Sequence, residues 1–151
     1  MKIDKTEITL VINGTARTLW VGQNESLLDA LRNASYMSVK SGCHDGACGV
    51  CTVLVNGVPT RSCKLKVVAL NGAKIGTLEG IGDADNLHPL QEAYIETGAI
   101  QCGYCTPAQI LSTKALLDKN SDPSEDEVRA ALDGVLCRCT GYVRGVDAVR
   151  R

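Results

Sequence analysis

The sequence predicts an α+β chain in two successive parts, strand-rich over residues 1–78 and helical over 79–151. Three observations carry this. Near the N-terminus Ile8, Leu10 and Ile12 alternate with polar residues, and two Asn-Gly pairs, Asn13-Gly14 and Asn56-Gly57, follow strand-like runs. Beyond about Ile81 the apolar spacing becomes three and four residues, the period of a helix. Eight cysteines stand in two groups of four, one in each part, with none left over.

The elements follow in order. Met1-Lys2-Ile3-Asp4-Lys5 leads directly into the first strand, and the return strand runs from Arg17 to Val21. A helix follows, capped by Asn24, with Leu27, Leu28 and Leu31 on one face. After a cysteine loop, Thr52–Val55 reads as a strand, and the return from Asn56-Gly57 leads to Cys63. Hairpin, helix, loop and hairpin is the order of a small β-grasp sheet with one helix across it. Asn71-Gly72 and Gly80-Ile81-Gly82-Asp83 mark turns and a linker. Pro89 suits a first helical position, with Leu90, Ala93 and Tyr94 on one side and Gly98 as the stop. Pro107 opens a second helix that fades at Asn120. Ser124-x-x-Glu127 is a capping box, followed by Val128, Ala131, Leu132 and Val135 at helical spacing. Gly141–Arg151 forms one last short helix. The sequence carries no internal repeat and no low-complexity segment.

Aromatic residues make up only 3% of the chain and Phe is absent, so the core is thin in large side chains and a metal is expected to help hold it. Sixteen basic residues face seventeen acidic ones, which disfavours nucleic acid as a partner. No export signal or membrane span is evident, so a cytoplasmic, reducing location is expected. Cysteines there read as metal ligands rather than disulfides.

The first quartet is Cys43-x4-Cys48-x2-Cys51, followed by Cys63. C-x4-C-x2-C with a later cysteine is the plant-type [2Fe–2S] spacing. The glycines of Gly42–Cys51 fit that chemistry, because an anionic group needs backbone amides close by and a loop able to take positive φ. Zinc prefers pairs from two separate knuckles, which three cysteines in one loop match poorly. The second quartet is Cys102-x2-Cys105 with Cys137-x-Cys139, each pair at the end of an expected helix. Taken alone, this spacing fits an iron–sulfur cluster or zinc, and C-x2-C alone fits a redox disulfide. A neighbouring cluster favours iron, since a second redox centre gives the electron somewhere to go.

Gln101-Cys102-Gly103-Tyr104-Cys105-Thr106-Pro107 and Leu136-Cys137-Arg138-Cys139-Thr140-Gly141-Tyr142 resemble the second-cluster signatures of the molybdenum hydroxylases, the xanthine dehydrogenase and aldehyde oxidoreductase family. The loop Gly42–Cys51 with Cys63 resembles that family's plant-type site, and the likeness runs from about Lys2 to Arg151. It implies a ferredoxin-like β-grasp domain over 1–78 and a four-helix-bundle [2Fe–2S] domain over 79–151. It implies an electron-transfer subunit of a multi-subunit oxidoreductase, with molybdopterin on a large partner subunit and FAD on another. The large subunit would hydroxylate an aldehyde or an N-heteroaromatic such as a purine or nicotinate. Electrons would enter at the bundle cluster and leave from the plant-type one. Gln101 and Cys139 match positions that lie against the pterin in relatives. The chain departs from the family pattern at Ala108, where Gly is frequent, and at Val143-Arg144-Gly145, where a proline is common and the start of the last helix is therefore in doubt.

His44 reads as a loop residue and His88 as a helix-start residue, because both quartets are complete in cysteine. Arg138, between two ligands, fits either a charge offset or a solvated surface. Catalytic residues are not expected on this chain: no nucleophile–base set, phosphate loop or paired carboxylates stand out. Two alternatives differ in class: a free-standing two-cluster ferredoxin shuttle, and a zinc-stabilised interaction module.

Overall fold

The structure, a computed structural model, describes residues 4–151; Met1, Lys2 and Ile3, expected to lead into the first strand, lie outside the described residues. Strands β1 (Lys5–Ile12) and β2 (Thr15–Gly22) pair antiparallel, as do β3 (Thr52–Val55) and β4 (Val58–Arg61). Both Asn-Gly turns have positive φ at both central residues, 51° and 80° at Asn13-Gly14 and 50° and 81° at Asn56-Gly57. That geometry matches the right-handed twist of the strands it joins.

A fifth strand, β5 (Lys74–Gly76), was not legible in the sequence. It lies at the sheet centre, parallel to β1 and antiparallel to β3, in the order β2-β1-β5-β3-β4. Three residues with Ile75 as the one buried apolar position are too short to show an alternation. The two turn asparagines hold this strand in place. Asn56 Oδ1 accepts from Lys74 N at 2.9 Å, and Asn13 Oδ1 accepts from Thr77 N at 2.9 Å.

Helix α1 (Leu27–Asn33) crosses one face of the sheet and buries Leu27, Leu28 and Leu31. Each such side chain contributes about 1.5–3 kcal/mol. The helix is capped by Ser26, not Asn24 as expected. The Ser26 hydroxyl accepts from Asp29 N at 3.0 Å, whereas Asn24 Oδ1 accepts from Lys66 Nζ. The core beneath α1 is aliphatic, with Ile8, Leu10, Ile12, Val21, Val53 and Ile75.

In the helical half, α2 (Pro89–Glu96), α3 (Thr106–Lys119), α4 (Glu125–Asp133) and α5 (Val143–Val149) form a bundle. α3 packs on α2 and α4, and α5 closes the ring against the same two. His88 caps α2 through Nδ1, which accepts from Leu90 N, and Ser124 caps α4 with Glu127 in the expected box. Gly98 takes φ 66° at the stop of α2. α4 ends at Asp133, so Val135 is not its last helical residue; it is buried beyond the helix instead. α5 starts after Tyr142, which takes φ 68°. Among the described residues no helix is long and apolar enough to cross a membrane.

Candidate metal centres

The loop Gly42–Cys51 joins the α1 region to β3, and its shape depends on left-handed backbone. His44, Gly46 and Gly49 take φ of 62°, 89° and 71°. A side-chain carbon on Gly42 would lie 2.7 Å from Cys48 Sγ and 2.9 Å from Val50 Cγ2. Glycine there leaves a cradle beside the sulfur. Cys48 N donates to Cys43 Sγ at 3.3 Å, the kind of amide that stabilises a thiolate. Arg61 and Lys64 donate to the carbonyls of Gly46 and Asp45 and hold the loop from outside. Cys63 sits in a short 3₁₀ turn after β4. Its neighbour Ser62 donates from Oγ to Cys51 O at 2.7 Å, which brings Cys63 to Cys51. Burial first, and the adjacent Cys51 thiol second, push Cys63 up to about 11.

The second quartet gathers at one end of the bundle. Cys105 is the N-cap residue of α3 and is buried, and Cys137 lies beside it. Burial, then the Cys137 thiol, push Cys105 up to about 12. Cys102 and Cys139 are both exposed, and the Cys102 thiol raises that of Cys139. Thr140 approaches Cys137 Sγ with its hydroxyl at 3.2 Å and its amide at 3.5 Å. Tyr142, in its left-handed conformation, accepts from Cys137 N at 2.8 Å through its phenol oxygen. Gln101 is exposed, one residue before Cys102. His44 bonds to Ser41 Oγ, so neither it nor His88 joins a quartet.

Each quartet therefore gathers in one place: Cys63 neighbours both Cys51 and Cys43, whose sulfur meets the Cys48 amide, and Cys105 neighbours Cys137 and Cys102 while Cys139 neighbours Cys102 and Cys137. Among the described residues no three His, Cys, Asp or Glu side chains gather about a single-ion point. Four gathered thiols suit a [2Fe–2S] group, in which each iron takes two thiolates. The raised thiols of Cys63, Cys105 and Cys139 ionise readily only against strong positive charge, which iron supplies.

The two quartets meet across a small third core of Val50, Cys105, Ala108 and Val135, with Cys48 and Cys137 packed against it. Leu136 N donates to Cys48 O at 2.7 Å, so the residue before Cys137 is bonded directly to a residue of the first quartet. Tyr104 Oη donates to Ser41 O at 2.6 Å, and Arg61 Nη2 to Gly134 O at 3.3 Å. A cavity of about 250 Å³ in this seam is lined by Gly42, Cys48 and Val50 on one side and by all four cysteines of the second quartet on the other. A separate cavity of about 330 Å³, between the β3–β4 hairpin and α3, contains no cysteine. The seam residues Arg61 and Gly134 carry no signal in the sequence, and Leu136 stands in a recognised block without its seam contact being legible, since these roles depend on contacts between distant segments.

A β-grasp sheet followed by a helical bundle, each with a thiol quartet, defines a two-domain iron–sulfur protein. A family model described as a 2Fe-2S iron-sulfur cluster binding domain matches residues 10–74, and one described as a [2Fe-2S] binding domain matches 77–150. The chain is 46% identical to the nicotinate dehydrogenase small FeS subunit of Eubacterium barkeri, over 98% of this chain and 95% of that one. It superposes on quinoline 2-oxidoreductase from Pseudomonas putida with a TM-score of 0.94 at 39% identity, covering 97% of this chain and 91% of that chain. It superposes on the aldehyde oxidoreductase of Desulfovibrio desulfuricans with a TM-score of 0.93 at 49% identity, covering 95% of this chain but 16% of that larger one. The chain belongs to the small iron–sulfur subunits of the molybdenum hydroxylase family, with xanthine dehydrogenase and aldehyde oxidoreductase.

Proposed function

We propose that this chain is the electron-transfer subunit of a molybdenum hydroxylase, and that its two thiol quartets hold the two clusters. Cys43, Cys48, Cys51 and Cys63 hold one within a domain spanning 1–78. Cys102, Cys105, Cys137 and Cys139 hold the other within a domain spanning 79–151. The cysteines would hold [2Fe–2S] groups that supply one-electron chemistry, and the chain would so link a molybdopterin centre to a flavin or other acceptor. The observation that carries this reading is the meeting of both quartets across one short seam.

The residues of the chain do the rest. The loop amides and Thr140 stabilise thiolate at Cys43 and Cys137. Val50, Ala108 and Val135 form the apolar contact between the sets. Around the exposed Cys102 and Cys139, Ile100, Tyr104 and Leu136 are 38%, 46% and 64% exposed. An apolar rim of this kind fits a protein partner. The partner we propose is the large molybdopterin-binding subunit, with Gln101 and Cys139 against the pterin. FAD on a further subunit and a cytoplasmic location complete the reading. An N-heteroaromatic or aldehyde substrate is handled by the large subunit. Stepwise reduction of the purified complex should give two distinct [2Fe–2S] EPR signals from this chain. A colourless chain carrying stoichiometric zinc would overturn the proposal.

A further inference from the structure

The bundle buries few polar side chains: Thr106, Gln109, Ser112 and Thr113 of α3, and the phenol of Tyr94 on α2. Tyr94 of α2 is fully buried and Gln109 of α3 is 2% exposed. Both reach the same spot over α5, where a side-chain carbon on Gly145 would lie 3.7 Å from Tyr94 Oη and 4.0 Å from Gln109 Oε1. Gly145 leaves that spot free of side chain. Among the described residues, Tyr94 Oη and Gln109 Nε2 are the buried side-chain polar atoms without a hydrogen-bond partner. Thr113, one turn along α3, is fully buried and uses its hydroxyl proton on Gln109 O at 2.9 Å. Buried polar groups left in this state are costly, and ordered internal water is the usual remedy. Water needs two to four polar partners, and the Tyr94 phenol and the Gln109 amide offer them.

The spot lies directly behind the second quartet. Gln109 N donates to Cys105 O at 3.0 Å, which places its side chain one turn from a ligand. Gly145, beside the Tyr94 phenol, stands three residues after Tyr142, whose own phenol accepts from Cys137 N at 2.8 Å. We propose that Tyr94 and Gln109 hold an ordered water over Gly145 and act as positioning residues that raise the reduction potential of the second cluster. The proposal rests on the reading that Cys105 and Cys137 are ligands. Reduction adds a negative charge inside a bundle that otherwise offers little polarity. The water and the dipoles that hold it lie one turn of α3 behind Cys105 and stabilise that charge.

The test is an EPR-monitored redox titration of the assembled complex, wild type against Tyr94→Phe and Gln109→Leu. The signal lost in Cys137→Ser identifies the second cluster. Each variant should reduce the second cluster about tenfold less at a fixed potential, a midpoint lower by ~59 mV for one electron. The first cluster should not move. The double variant should shift little further, because the two residues share one water. A shift under threefold, a rise in potential, or an equal shift of both clusters would overturn the role. If Tyr94→Phe fails to assemble, Gln109→Leu decides by the same criteria. Absence of the second signal from the wild-type complex would instead overturn the ligand assignment and this proposal with it.

Discussion

Gly49→Ala tests the seam between the two halves. Gly49 has φ 71°, and a Cβ added there would lie 1.9 Å from the carbonyl oxygen of Gly134. Ordinary contact starts at 3.4 Å, so the cysteine loop and the end of α4 must separate by the difference. The separation strains the Leu136–Cys48 bond at 2.7 Å and the Arg61–Gly134 bond at 3.3 Å. Left-handed backbone at a non-glycine residue costs about 1–2 kcal/mol. Overpacking adds about 1–3 kcal/mol, and two weakened hydrogen bonds add about 1 kcal/mol each. A loss of roughly 4–7 kcal/mol follows from these contributions. Gly57→Ala is the control: its φ is 81°, but a Cβ there meets nothing within 4 Å. It should cost only the backbone share, about 1–2 kcal/mol. Denaturant unfolding followed by bleaching of the cluster absorbance compares the two variants. Equal midpoints would refute the close approach of Gly49 to Gly134.

Further perturbations probe other parts of the structure. Cys43→Ser should abolish or disturb one EPR signal and Cys139→Ser the other; either should block turnover with the physiological acceptor, and full activity in both would refute the relay. Iron and sulfide analysis of the anaerobically purified complex should find two [2Fe–2S] equivalents on this chain. Ser124→Ala removes the cap that accepts Glu127 N and should cost about 1 kcal/mol in unfolding. Burial opposes ionisation of Glu79, but the Ser38 hydroxyl and amide and the Thr77 hydroxyl outweigh it and hold the carboxyl below its ordinary 4.5. Its folded value is depressed, so its contribution is present above 4.5 and lost as pH falls through the folded value. Glu79→Gln should therefore destabilise the chain at neutral pH, and its unfolding curve should merge with that of the wild type in acid.

Local chemistry was legible in the sequence where a residue acts on its own neighbourhood. The Asn-Gly turns, the Ser124–Glu127 box, the Gly98 stop and the cysteine spacings each express a rule that spans a few residues. Asn24 misled because it is a good cap placed two residues before a better one, Ser26. β5 was missed because its stability comes from Asn13, Asn56 and two flanking strands rather than from its own three side chains. Val135 continued the helical period, yet α4 stops at Gly134 and the valine packs into the seam instead. Tyr142 belonged to a recognised block, but its bond to Cys137 N depends on a left-handed turn that spacing alone does not reveal.

The contact of Gly49 with Gly134 also limits how this polypeptide can be recombined. A chimera that keeps residues 1–78 and borrows the remainder from a cousin inherits a joint shaped for another backbone. Residues 46–50, Arg61 and 134–136 need to travel together in any such graft. For anyone wiring this chain to a foreign redox partner, the interchangeable part is the whole polypeptide and not either half.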